Sequence, residues 1–324
     1  MKFLFLYLNF LICFSSLLEE IDLNIESIDE YLLKLPKREK IDILKMTQEM
    51  SKIKKEYLMT DAETAYFVYK WISQNIEIDC LGNKYGNSSK IPATTYKEGK
   101  GGHAGISGLF STMCGFLDIE SNTIFGIKKH FTHNYTGNLT DFKEYSWNYI
   151  SIDNQYYLID TTSGVGVCDG VSFFRIRNED YEPFGIEPNV SIRHLFPNDK
   201  KWQLLYEPIS EEKFKSQAFL KGSFFEFFGS ISPDIQTIKN KKNMKIKLTV
   251  KDPKIKKFSF YEEYDIENEM LPLASDQKDF PVVNGTCEYT VNHLGTGYTF
   301  VYISIKGDNW EQLCGSIAYE IYDK

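Results

Sequence analysis

The chain has 324 residues, 42% hydrophobic and 15% aromatic, enough for one large or two ordinary packed domains and inconsistent with a disordered tail. Its formal net charge of -8 argues against a nucleic-acid partner, whose backbone demands a broad basic face. Short lysine runs such as "KNKK" and "KKNMKIK" read as a solvated strand edge or loop.

Residues 1–16, "MKFLFLYLNFLICFSS", set one lysine before an apolar run and two serines, the layout of a secretory signal peptide. That run is too short to span a bilayer, and no later stretch approaches a membrane-spanning length, so the expectation is a soluble, exported protein. N-x-[ST] sites at Asn87, Asn134, Asn138, Asn189 and Asn284 fit the same route as candidate glycosylation positions. With Cys13 in the signal segment, Cys80, Cys114, Cys168, Cys287 and Cys314 remain, an odd set that leaves at least one thiol unpaired. Cys80 with Cys168, and Cys287 with Cys314, are the candidate disulfides, and Cys114 reads as a small buried hydrophobe. No grouping of Cys and His has zinc spacing.

Residues 17–59 predict a helical arm, with Ile43, Met46, Met50, Ile53 and Tyr57 at helical spacing. Thr60 precedes Glu63 by three, a capping box that opens a helix whose apolar face is Ala65, Val68, Tyr69, Ile72 and Ile76. Residues 79–102, rich in Gly, Asn, Ser, Lys and Pro, predict a loop, and "HAGISGLFSTMCGFL" predicts a buried helix that starts at His103. The period then changes to two in "NTIFGIKKHF", "YSWNYISI" and "QYYLIDTT", an antiparallel sheet with Asp153 and Asn154 at a turn. Beyond about residue 216, "SFFEFFGSI", "MKIKLTVKD", "KKFSFYEEY", "CEYTV", "YTFVYISIK" and "CGSIAYEIY" all read as strands, which predicts an immunoglobulin-like β-sandwich over residues 216–324.

The stretch "GKGGHAGISGLF" invites a phosphate reading and then fails it. A P-loop needs GK[ST] at the helix start, and a dinucleotide fold needs a buried strand before the glycines, which "IPATTYKE" is not. The glycines fit a tight entry into the helix, and no cofactor is implied. A metal at His130 and His133 with His103 and Asp160 is a minor alternative, since residues three apart on a strand face different sides. A third reading follows element order: a helix beginning at position 103, a strand carrying Tyr145, and a strand ending at Asp160. Papain-like acyl-transfer folds deliver nucleophile, base and orienting acid in this order, with a cysteine thiolate at the helix N-terminus.

"TDAETAYFVYKWISQNIEID", "GKGGHAGISGLFSTMCGFLDIE", "YSWNYISIDNQYYLIDTTSGVG" and "HLFPNDKKWQLLYEPISEEKF", in that order across residues 60–215, resemble the transglutaminase-like superfamily and, within it, the kyphoscoliosis-peptidase-like branch. The resemblance implies an α+β, papain-like core domain over 60–215, followed by a β-rich module. It places the family's nucleophile on His103 in place of Cys, its base on Tyr145 in place of His, with Trp147 and Asn148 supplying the following pair, and its acid on Asp160. Only Asp160 keeps its type. An imidazole forms an acyl intermediate poorly from an ordinary amide, and a phenol with a pKa of about 10 is a weak base at neutral pH. The expectation is therefore a degenerate triad in a secreted pseudoenzyme that binds a protein or peptide or plays a structural part. The competing reading is an active, cysteine-independent amide hydrolase or acyl transferase built on His103. In the first reading the tyrosine hydroxyl is expected to meet the imidazole, and the imidazole the carboxylate.

Overall fold

The computed structural model describes residues 25–131, 140–175, 183–220, 223–239, 244–266, 269–272, 278–291, 297–306 and 311–322. The chain divides into two compact units. The first comprises Met1–Phe125, Tyr145–Asn178 and Pro183–Pro188, and the second Gly126–Glu144, Glu179–Glu182 and Asn189–Lys324.

In the first unit, α1 (Ile25–Leu32) and α2 (Ile43–Glu56) precede α3 (Asp61–Asn75). Met46, Met50 and Ile53 of α2 are buried in the same core as α3, as their helical spacing predicts. Thr60 and Glu63 form the reciprocal capping box at the start of α3, and Phe67, Val68, Trp71 and Ile72 of that helix are buried. Each such large apolar side chain contributes roughly 1.5–3 kcal/mol on burial.

Residues 79–102 hold more order than expected. After β1 (Glu77–Ile78) come α4 (Cys80–Tyr85), α5 (Pro92–Glu98) and β2 (Lys100–Gly101). Asp79 accepts from the Gly82 N–H to cap α4, Pro92 starts α5, and Gly86 and Gly99 end the two helices with φ of 72° and 73°. β2 pairs in parallel with β1 and leads directly into α6 (His103–Phe116). Two glycines of "GKGGHAG" are set by close approach: a Cβ on Gly105 would lie 2.3 Å from Thr95 Oγ1 of α5 and 2.5 Å from the Ser89 carbonyl, and one on Gly101 would lie 2.5 Å from Thr95 Oγ1. Ile106, Leu109, Phe110, Met113 and Cys114 then bury the inner side of α6.

β3 (Ser121–Phe131), β4 (Thr140–Ile152) and β5 (Gln155–Ile159) follow as predicted. β4 and β5 form an antiparallel hairpin whose turn, Asp153–Asn154, has φ of 51° and 62°, which Asp and Asn tolerate. β8 (Phe184–Ile186) pairs with β5 on its other side. Between them lie α7 (Thr161–Val165), β6 (Val167–Cys168) and β7 (Phe173–Phe174). A disulfide joins Cys80, the first residue of α4, to Cys168 in β6, the pairing expected from the sequence.

In the second unit, α8 (Pro188–His194) leads into β9 (Leu195–Pro197), which pairs with Gly126–Lys128 of β3, and α9 (Glu211–Ser216) precedes β10 (Phe219–Leu220). The segment "SFFEFFGSI" is not one strand. It forms α10 (Ser223–Phe227) and then β11 (Phe228–Ser232). Next come β12 (Thr237–Lys239), β13 (Lys245–Val250), β14 (Lys257–Ile266), β15 (Glu269–Pro272), β16 (Lys278–Pro281), β17 (Thr286–Thr290), β18 (Gly297–Lys306) and β19 (Glu311–Tyr322). One sheet runs β10-β19-β18-β14-β15 with β12 and β16 attached, and the other runs β11-β13-β17. Ile246, Leu248 and Tyr289 from the small sheet share a core with Phe258, Phe260, Val301, Ile303 and Tyr319 from the large one, the two-layer sandwich predicted from the alternating segments. Cys287 of β17 is a free thiol buried in this core, in a different sheet from Cys314 of β19. Because Cys287 is a free thiol, the expected Cys287–Cys314 bridge is not formed. The side chain of Cys314 lies outside the described residues.

The second unit also buries a lysine. Lys129 Nζ donates to the carbonyls of Phe214 and Gln217 at the C-terminal end of α9, at 2.7 and 3.1 Å, and lies 4.9 Å from the Phe214 ring centre. Burial pushes its pKa down to about 7; Arg193 adds to the fall and Asp234 opposes it. The folded-state value lies below the ordinary value of about 10.4, so above about pH 7 the unfolded chain binds more protons and stability rises with pH. Chemical denaturation at about pH 7 and about pH 9 should show the wild type gaining on Lys129→Met as pH rises. A pH-independent difference would contradict this assignment.

Candidate functional site

Three segments of the first unit converge on one place. His103, half-buried, is the first residue of α6, where Gly102 provides no capping side chain. Its Nδ1 lies 3.1 Å from Ser146 Oγ, and Ser146 Oγ lies 2.8 Å from Ser107 Oγ, one turn further along α6. Ser107 and Ser146 are fully buried. The imidazole leans against the Tyr145 ring, with centroids 5.3 Å apart and planes inclined by 32°.

The tyrosine hydroxyl reaches the carboxylate. It donates to Asp160 Oδ1 at 2.8 Å, and Asp160 also accepts from the Ser163 N–H at 3.0 Å and the Ser163 hydroxyl at 2.7 Å. Asp160 is fully buried and caps the N-terminus of α7, so its side-chain oxygens meet three donors at the start of a short helix. Hydrogen bonds thus link the Ser146 and Ser107 hydroxyls with His103, and Tyr145 and Ser163 donate to Asp160.

Asn148 braces the arrangement. Its amide donates to the Ser107 carbonyl at 2.8 Å and to Ser111 Oγ at 2.9 Å, and its carbonyl accepts from the Thr161 hydroxyl at 2.8 Å. Ser146 and Asn148, two apart on β4, thereby meet Ser107 and Ser111, four apart on α6, which matches the two periodicities. The sequence reading missed Ser107, Ser146 and Ser163. The visible signals were the serine one turn after His103, and the D-x-x-S spacing of a helix cap from Asp160 to Ser163.

Cys114 offers no substitute nucleophile: it is fully buried, and burial pushes its thiol pKa far above the ordinary range. Among the candidate glycosylation sites, Asn87, Asn189 and Asn284 are exposed, whereas Asn134 and Asn138 lie outside the described residues, as do His133 and the side chain of His130. Among the described residues no helix is long and apolar enough to cross a membrane.

Residues 46–161 match the family model of the transglutaminase-like superfamily. The kyphoscoliosis peptidase of Homo sapiens is 28% identical over 169 residues, which is 51% of this chain and 25% of that protein. That of Mus musculus is 27% identical over the same shares. The chain thus spans about a quarter of the length of these curated relatives. His103, Tyr145 and Asp160 all fall inside the matched segment. Residues 46–161 are therefore similar to a transglutaminase-like domain, and about half the chain is similar to part of the kyphoscoliosis peptidases.

Proposed function

We propose that this protein is an exported, catalytically degenerate relative of the transglutaminase-like enzymes that works as a protein- or peptide-binding or structural module. The observation that carries the reading is the hydrogen bonding at positions 103, 145 and 160: an imidazole held by Ser146 stands at the helix N-terminus, and the hydroxyl at the base position is committed to Asp160. Acyl transfer at an amide needs an activated nucleophile paired with a base. Here the nucleophile seat holds a weak one, and its neighbour is a phenol already donating its proton to a carboxylate. Removing the nucleophile of such a set lowers the rate by on the order of 10⁶ in well-studied hydrolases. Export is supported by the Cys80–Cys168 disulfide, a bond that persists in oxidising compartments, and by the exposed sequons at Asn87, Asn189 and Asn284.

The experiment is ammonia release and amine incorporation with glutamine-containing peptides, using the natural protein and His103→Ala. The reading expects both proteins to remain at background. Turnover by the natural protein that His103→Ala abolishes would establish the competing reading, an enzyme with an unusual His103 centre.

A further inference from the structure

We propose that the outer face of β13 and the loop after it form a binding site for a sulfated polysaccharide. Residues 245–257, "KIKLTVKDPKIKK", hold six lysines and one aspartate in a chain of net charge -8. Lysines on strands often serve to blunt a sheet edge. That explanation fails here, because β13 is the middle strand of β11-β13-β17 and its edges are already paired.

Lys245 and Lys247 project outward with side chains 66% and 53% exposed, while Ile246 and Leu248 point into the core. In register beside them stand Thr290 and Glu288 of β17 and Ser232 of β11, and Ser230 Oγ lies 2.7 Å from Thr249 Oγ1. The face therefore offers ammonium groups flanked by hydroxyls, the donors that sulfate and sugar oxygens accept from. At about 3.3 Å per residue, Lys245 to Lys251 covers about 20 Å, a stripe suited to an extended chain with repeated charges. The loop continues it with Lys254, Lys256 and Lys257, all exposed. The Asp252 carboxylate is turned onto the Lys254 N–H at 2.8 Å, while Lys251 and Lys256 rest their ammonium groups on the Phe225 and Pro253 carbonyls. The Glu288 carboxylate lies 3.8 Å from Lys245 and 4.0 Å from Lys247.

A nucleic acid is a poorer fit, since residues 245–257 include no aromatic side chain on which a base could stack. A bilayer is poorer too: Ile246 and Leu248 are buried, Val250 and Ile255 are half-buried, and none is presented for insertion. The proposal is independent of whether the His103 centre is inactive, so either can fail alone.

The test is retention of the full-length protein on immobilised heparin at about 0.15 M salt, followed by salt elution. The protein should bind despite its net negative charge, and neutralising Lys245, Lys247, Lys251, Lys254, Lys256 and Lys257 to Gln should weaken binding by about 100-fold or more. Glu288→Gln should elute at higher salt than the wild type, whereas neutralising the exposed Lys55, Lys84, Lys90 and Lys100 to Gln should change nothing. All these side chains are exposed, so circular dichroism should show each variant folded. The proposal is overturned if the protein flows through, if the six-lysine variant elutes with the wild type, or if a plain sulfonate resin holds the protein to the same salt. Competition by duplex DNA, unsulfated hyaluronan or phosphatidylserine vesicles as effective as that by heparin would overturn it equally.

Discussion

Replacing Cys80 and Cys168 with serine is expected to lower the unfolding free energy by about 4.5 kcal/mol, the chain-entropy value for a bridge closing a loop of this size. The two cysteines are separated by 88 residues, so the bond removes a large share of the unfolded chain's freedom. Its position makes the effect local as well as global. Asp79, just before Cys80, donates its N–H to the Gly101 carbonyl, two residues before His103. Cys168 follows α7, the helix that Asp160 caps. The bond thus ties the segment that delivers His103 to the one that holds Asp160. Urea denaturation of the oxidised protein and the double serine variant measures the loss. A difference below about 1 kcal/mol would mean that the unfolded chain is already compact or that the bond is strained.

The second large effect is expected at Asp160. Asp160→Ala leaves the Tyr145 hydroxyl, the Ser163 N–H and the Ser163 hydroxyl without their acceptor in a buried place and removes the cap of α7. Unsatisfied buried donors and a lost cap together should destabilise by about 3 kcal/mol. Tyr145→Phe removes one donor only and should lose about 1 kcal/mol, since Asp160 keeps both contacts with Ser163. Thermal and urea unfolding of the two variants decide the order. If Tyr145→Phe proves the more damaging, then Ser163 is not the main partner of the carboxylate.

The elements legible in the sequence were those whose local and global preferences agree. The capping box at Thr60 and Glu63, the apolar inner side of α6, and the alternating β4 and β5 around Asp153–Asn154 all formed as read. Short helices were lost where composition masked their caps. Asp79, Gly86, Pro92 and Gly99 mark the ends of α4 and α5, yet the density of Gly, Asn and Ser around them reads as loop. In α10, five residues carry three phenylalanines, a composition that favours a strand, and tertiary packing decides otherwise. Cysteine pairing was legible only in part: Cys80 and Cys168 are bonded within one unit, while Cys287 remains a free thiol, and residue spacing alone does not fix connectivity.

At the site, the convergence of His103, Tyr145 and Asp160 was readable from element order, but the serine partners of the imidazole and the carboxylate were not. Which hydroxyl reaches which acceptor depends on side-chain length across three elements. Ser146 bonds His103 and Ser163 bonds Asp160, and each lies close in sequence to a residue already in view. Their role follows from geometry alone.

The most direct test of the central claim, an acyl-transfer scaffold whose chemistry has been lost at two positions, is one assay of the double variant His103→Cys with Tyr145→His. It would place a thiol at the N-terminus of α6 and an imidazole beside it, within the Asp160 environment. On glutamine-containing peptides the account predicts turnover in this variant and none in the natural protein. Turnover in the natural protein that disappears in the double variant would contradict it.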